Sequence, residues 1–368
     1  MRSEVMKVLL VCPASPDNMP YLRSYLGRLE SCNILHDVVY LYWGDEKSTY
    51  PLNYYMYDGT KSLIANRFIG KIYTYYKYSR VVIKKLTKGE YTHVITMGIA
   101  CSIFLSKYLK RNFLGKYIYD IRDYSQVLRS SLCRDLNGEL LRHSYMNVIS
   151  SNGFKKWLPN DIEYVLCHNT TQDKIDDTKD EIDMSRPITV LTIGQIRDLE
   201  ANTHVIEQLS NNENYEIVFA GKGQTLECLK RIVEERKYTN VKFLGSYKKE
   251  NEDSIVENAT FINVCMGHNM ISDFLLSNRL YLAARMKKPL ISFDGCYQAE
   301  IINKYYLGLV VKEDELLPMK LQEYINTFNA DRFALGCTDF LREVHDELQI
   351  YYNKLDSFLG ISKGLHIK

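Results

Sequence analysis

The chain of 368 residues has no apolar run near the roughly eighteen residues that a membrane-crossing helix needs, so any membrane contact is expected to be peripheral. It has no CxxC and no Cys/His pair at ligand spacing; its nine cysteines (Cys12, Cys32, Cys101, Cys133, Cys167, Cys228, Cys265, Cys296, Cys337) are scattered. That pattern speaks against a zinc module or a disulfide scaffold and for free core thiols in a reducing cytosol. Neither GxGxxG nor a Walker A loop occurs, so hydride transfer and P-loop hydrolysis both lose ground. The opening apolar stretch is short and stopped by Pro13, which reads as a buried first strand rather than a secretory leader.

What is present is ample core material, 46% apolar against 25% charged residues, in a length that suggests two domains. The net charge of +2 hides a division. Residues 1–168 hold 23 Lys and Arg against 14 Asp and Glu, a net of +9, whereas residues 169–368 hold 24 against 31, a net of −7. A basic half can meet an anionic surface; the alternative is two sets of solvated helix faces that differ in sign.

The most informative segment is Ile188 to Gly223, which sets a strand, a glycine loop, a helix, a second strand and a second glycine loop in order. Gly194 ends a β-branched apolar run, and Val205, Ile206 and Leu209 give the next stretch a helical face. Ligands of parallel sheets bind at the carboxyl ends of strands, where helix N-termini favour anions, so Arg197 is expected beside a phosphate. Strands are expected at 188–193, 216–220, 241–244, 260–264 and 290–293, with a weaker helix from about Leu317 and a long one from Asp331 to Phe358.

In the first half, strands are expected at 7–12, 37–42, 93–97, 116–120, 147–150 and 164–167, with a helix from about Met19. Between Lys61 and Lys88 lie eight basic residues, among them Lys77, Arg80, Lys84 and Lys85, interleaved with Tyr73, Tyr75, Tyr76 and Tyr78 and with no acid. This is the composition of an interfacial helix on an anionic leaflet, or of a solvated basic helix with its tyrosines packed inward. No RRM, KH or zinc-finger pattern accompanies it, so nucleic acid is not the expected partner. Asp120, Arg122 and Asp123 crowd one strand end, where they either orient a sugar or phosphate or, through Asp123, cap the next helix. Ser150 to Phe154 reads as a strand-to-helix turn with Ser and Asn caps. Gln172 to Arg186 is polar and acidic, a linker by composition.

Several stretches in order resemble retaining family 4 glycosyltransferases of GT-B architecture, the group found in bacterial capsule and exopolysaccharide clusters. They are Tyr119-Asp120-Ile121-Arg122-Asp123-Tyr124, Ser150 to Pro159, Ile193-Gly194-Gln195-Ile196-Arg197-Asp198, Phe219-Ala220-Gly221-Lys222-Gly223, Phe243 to Tyr247, and Ser277 to Tyr281 running on to Lys288-Pro289-Leu290-Ile291. The resemblance implies an α/β fold of two doubly wound, Rossmann-like domains facing a cleft, with the C-terminal helix crossing back to the first domain. The expected divisions are 1–168 for the acceptor, 169–186 as linker, 187–330 for the nucleotide sugar and 331–368 as C-terminal helix.

As implied by the resemblance, the donor diphosphate lies near Gly194, Arg197, Gly221, Lys222 and Gly223, with Asp273, Asn278 and Arg279 as further donor contacts. Asp120, Arg122 and Asp123 are the candidates for the acceptor or the transferring sugar, and Lys77, Arg80, Lys84 and Lys85 for membrane and acceptor. No cofactor and no metal is expected: the sequence lacks a DxD, and the donor is a nucleoside diphosphate sugar. The implied activity is a hexosyl transfer with retention to a lipid-linked or saccharide acceptor, at the cytoplasmic face of the cell membrane.

One departure stands out. The family's two glutamates, separated by seven residues, align with Phe274 and Leu282. Asn278 and Arg279, or Asp273, would then have to hold the donor. The alternatives to Asn278 and Lys222 as ligands are a helix N-cap and a solvated turn residue. Rival functions are a non-hydrolysing sugar-nucleotide 2-epimerase and a non-catalytic GT-B partner subunit.

Overall fold

In the computed structural model, which describes residues 5–44, 49–61, 68–170 and 187–361, the chain forms two compact units. One comprises residues 1–169 and 347–368, the other residues 170–346. Arg67, one of the eight basic residues between Lys61 and Lys88, and the expected linker at 172–186 lie outside the described residues.

The first unit is built on seven parallel strands: β1 (Lys7–Cys12), β2 (Leu35–Tyr42), β3 (Tyr54–Asp58), β4 (His93–Met97), β5 (Tyr117–Ile121), β6 (Met146–Ile149) and β7 (Val165–Leu166). Their order across the sheet is β3-β2-β1-β4-β5-β6-β7. β1 and β5 are buried almost throughout, as near-continuous apolar runs covered on both faces must be. Helices α1 (Leu22–Ser31), α2 (Phe68–Lys88), α3 (Ile99–Ser102), α4 (Ser106–Asn112) and α5 (Ser131–His143) connect them.

Helix α1 starts three residues later than expected. Pro16 opens a single 3-10 turn, and Pro20 keeps Met19 out of the helical region, at φ −126° and ψ 72°. β3 was not expected. It is an edge strand, half exposed, whose Tyr-rich sequence shows no apolar alternation; its pairing to β2, Val38 opposite Tyr54, makes it a strand.

The second unit has six parallel strands: β8 (Ile188–Gln195), β9 (Tyr215–Lys222), β10 (Val241–Gly245), β11 (Phe261–Asn263), β12 (Leu290–Phe293) and β13 (Gly308–Val311). They are ordered β10-β9-β8-β11-β12-β13. The connecting helices are α6 (Leu199–Leu209), α7 (Leu226–Glu235), α8 (Glu252–Glu257), α9 (Asn278–Arg285), α10 (Tyr297–Tyr305) and α11 (Leu317–Asn326). Val205, Ile206 and Leu209 of α6 are buried against Val190, Phe219 and Phe293, the amphipathic face that their spacing predicts. β13, another short edge strand, was likewise not expected.

The last helix, α12 (Ala330–Phe358), belongs to both units: residues up to 346 to the second, residues from 347 to the first. Its Tyr351, Leu355 and Phe358 join the core of the first unit with Tyr25 and Leu29, and Arg28 holds Asp356 through two guanidinium nitrogens. All nine cysteines are free thiols.

Candidate donor site at the strand ends of the second unit

In the second sheet the strand order reverses between β8 and β11, the switch point at which open α/β sheets bind ligands. Arg279, in the first turn of α9, reaches this point. Its Nε donates to the carbonyl of Ile193 at 2.6 Å and its Nη2 to that of Gln195 at 2.9 Å, both on β8, while Nη1 donates to Asn263 of β11 at 3.1 Å. Ser277 caps α9 by accepting from the Arg279 amide, which fixes where the side chain leaves the helix.

A guanidinium held by three carbonyls has fixed geometry but no compensating negative charge. Burial, and then the neighbouring cation of Arg197, pull the Arg279 pKa down to about 10. Arg197 itself is exposed and makes no ion pair with a carboxylate among the described residues. Two cations are thus forced together at the switch point, an arrangement that an anion between them would relieve.

The glycines shape the backbone at this place. β8 and β9 stay paired to their ends, Gly194 opposite Gly221 and Gln195 opposite Lys222. A Cβ on Gly221 would stand 1.8 Å from the Gly194 carbonyl oxygen, and one on Gly223 1.7 Å from that of Ile196. Both positions are therefore restricted by strand-to-strand approach, whatever else they do. Gly194, at φ +91°, faces open space with the Tyr247 hydroxyl 4.0 Å from its would-be Cβ. Lys222 ends β9 as an exposed side chain.

The α6 N-terminus was the expected source of free amides for an anion. Instead Asp198, left-handed at φ 61°, caps it: Oδ1 accepts from Ala201 at 3.1 Å and Oδ2 from the Gly267 amide at 2.6 Å. Positive charge at this end comes from the two arginines. Asn278 is the first residue of α9 and exposed, so its reading as an N-cap is corrected: the cap is Ser277. Asp273 lies in the loop before α9, hydrogen-bonded to His268, a residue that the sequence reading did not single out. Leu282 and Phe274 are partly buried.

The first unit treats its candidates differently. Asp120 is fully buried and takes both Arg122 Nε and Nη2, at 2.6 and 2.7 Å, plus the Tyr25 hydroxyl at 2.7 Å. Arg122 also donates to the Cys167 carbonyl and to Asn169 Oδ1, with Tyr21 stacked over it at 4.5 Å. The pair joins β5 to α1 and to the chain after β7, a positioning role. Asp123 alone of the three is exposed, and the N-cap position of the following turn is Ser125. Ser151 does cap the turn after β6, accepting from Gly153 at 3.1 Å.

On α2, Lys77, Arg80 and Lys84 are exposed along one face with Lys88, Tyr73 and Tyr76. Lys85 departs from that face: it turns to the sheet, 3.3 Å from Asp37 and 3.1 Å above the Tyr55 ring. Tyr78 is buried, its hydroxyl donating to the Val39 carbonyl, and Tyr75 packs edge-on against Trp43. Helix α4 exposes Lys107, Arg111 and Lys110, the last paired with Glu139, and meets α2 where Thr87 and Tyr108 share a hydrogen bond. Among the described residues no helix is long and apolar enough to cross a membrane.

No family model and no curated protein matches the sequence. Solved structures do match over nearly its whole length. Sucrose-phosphate synthase from Thermosynechococcus elongatus aligns with a TM-score of 0.68 at 11% identity, covering 96% of this chain and 100% of that one. Anabaena HepE, solved with UDP-glucose, aligns at 0.62 and 11% identity, covering 96% and 100%. The lipopolysaccharide outer core galactosyltransferase WaaB aligns at 0.60 and 14% identity, covering 96% and 99%. The fold is thus α/β with two doubly wound parallel-sheet domains, the GT-B architecture, and its neighbours are glycosyltransferases.

Proposed function

We propose that the chain is a glycosyltransferase that binds a nucleoside diphosphate sugar at the carboxyl ends of β8, β9 and β11 and transfers the sugar to a lipid-linked or saccharide acceptor. The observation that carries this reading is the pair Arg279 and Arg197, two neighbouring cations without a carboxylate, at a topological switch point. Breaking the bond between the anomeric carbon and the phosphate oxygen leaves the electron pair on the nucleoside diphosphate. Preorganised cations stabilise that charge as it develops, and Arg279 is preorganised by three carbonyls. Lys222 and Gly194 border the same site, with Asn278 at its α9 side.

The finer parts of the reading extend the resemblance: retention of configuration, with the departing phosphate taking the acceptor proton; no metal; and a role in bacterial surface polysaccharide synthesis. Acceptor binding belongs to the first unit, where Asp123 is the accessible acid and Asp120 with Arg122 holds the strand ends in place. The exposed cations of α2 and α4 suit an anionic leaflet, which supports a reading in which the protein works at the inner face of the cell membrane. Each cation there contributes about 1 kcal/mol at such a surface.

A second reading, a non-catalytic partner of the same fold, is favoured by one observation, the alkyl side chain of Leu282 on α9. A thermal-shift screen of uridine, guanosine and cytidine diphosphates and their sugars separates the two. An active donor site predicts that one base series raises the melting temperature, since ligand at 100 times its Kd adds about 2.7 kcal/mol. No shift with any of them leaves the partner reading.

A further inference from the structure

The loop from β11 to α9, residues 264–277, carries a histidine–aspartate pair and is tied through the Gly267 amide to Asp198, the residue after Arg197. His268 Nδ1 and Asp273 Oδ1 are 2.7 Å apart. A carboxylate on one ring nitrogen fixes the tautomer: Nδ1 keeps its hydrogen and donates it, and Nε2 is left as an acceptor. The His268 side chain is 44% exposed, and Nε2 has no partner among the described residues.

The rest of the loop holds the ring still. The Gly267 amide is tied to Asp198, the residue after Arg197, and Ser272 Oγ donates to the Gly267 carbonyl at 2.5 Å. Asn269 Oδ1 accepts from the amides of Ile271 and Ser272. The Asp273 carbonyl accepts from the first residue of α10, Tyr297, at 2.8 Å. Behind the ring is Gly295, two residues past β12 and at φ +81°; a Cβ there would stand 3.1 Å from His268 Cε1. An imidazole has been given a fixed tautomer and a fitted seat, with its free nitrogen left uncovered.

We infer that His268, oriented by Asp273, reads a hydroxyl of the donor sugar, the hydroxyl donating to Nε2. This rests on the donor reading above. The chemistry favours the sugar over the phosphates: an Nε2 acceptor suits an O–H donor, and the Asp273 carboxylate behind the ring disfavours an oxyanion. Arg197 and Arg279 hold the diphosphate, and the loop is pinned to their strand end through Asp198. His268 is therefore a specificity-determining residue, and Asp273 a positioning residue that acts through it.

Calorimetry on the full chain with UDP and UDP-glucose, and in parallel with GDP and GDP-mannose, tests this. In His268→Ala, affinity for the sugar nucleotide should fall on the order of tenfold while affinity for the matching nucleoside diphosphate stays at the parent value. Asp273→Asn should show the same selective loss, smaller, because the ring keeps its acceptor and loses its orientation; it also serves if His268→Ala does not fold. Equal losses for both ligands would make the pair a brace of the loop, and no loss would take it out of the site; either overturns the inference alone. A parent chain that binds none of the four ligands overturns the donor reading, and this inference with it.

Discussion

Asp37 shows how a single side chain is made to matter by its neighbours. It lies buried in β2, where burial alone would raise its pKa. The Tyr91 hydroxyl and the ammoniums of Lys85 and Lys7, at 3.3 and 3.4 Å, more than offset burial and hold the carboxyl below its ordinary value. A carboxylate with a lowered folded-state pKa stabilises the fold above its unfolded value, about 4, and that stabilisation is lost as pH falls through the folded one. Asp37→Asn should therefore melt below the parent at pH 7, with the gap closing below about pH 4. A gap independent of pH would mean that the charge contributes nothing. Lys85 is the counterpart: composition placed it with the basic stripe, and only the pairing to Asp37 shows that it faces the sheet. Arg279 was expected as a donor contact, but its carbonyl partners lie up to 86 residues away, and no spacing rule reaches them. His268 was missed for the converse reason, since a histidine five residues from an aspartate in a loop has no periodicity to mark it.

The elements that the sequence revealed best are the buried ones. β4 and β12 fall at the expected residues because both sheet faces demand apolar side chains, and the α6 face follows from a 3.6-residue period. The edge strands β3 and β13 carry no such demand and are defined by what they pair with. Helix α2 combines both cases: Tyr78 and Val82 are core, while Lys77, Arg80 and Lys84 face outward. Lys77→Gln, Arg80→Gln and Lys84→Gln together should release the protein from anionic vesicles and leave melting temperature and nucleotide binding unchanged. Salt should do the same to the parent, since exposed charges are screened over about 8 Å at physiological ionic strength. Unchanged sedimentation with vesicles would return α2 to a solvated face. The C-terminal part of α12 is a structural element of the first unit. Ending the chain after Asp346 removes Tyr351, Leu355, Phe358 and Leu359 from that core, at about 1.5–3 kcal/mol each, against a total stability of about 5–15 kcal/mol. The truncated chain should expose the first unit to limited proteolysis; full resistance would show that α12 adds little to it.

At the scale of the whole molecule, two parallel sheets with opposite net charge were foreseeable from strand–helix alternation and from the charge count, and the solved structures that match it share that architecture at 9–14% identity. What alternation could not convey is where the strand order reverses. It does so beside β8, the place proposed for the donor, where Arg279 bridges to β11 and Arg197 makes no ion pair with a carboxylate among the described residues. The most direct test of the account is a calorimetric titration of the parent and of Arg197→Ala with the nucleoside diphosphate that the thermal screen selects. Arg197 is exposed, and its removal relieves Arg279 of a like charge, so the variant should melt no lower than the parent. Its affinity should fall roughly 10- to 100-fold, the range for a lost hydrogen bond to a charged group. The same affinity in both proteins would contradict the claim that the diphosphate is held at the end of β8.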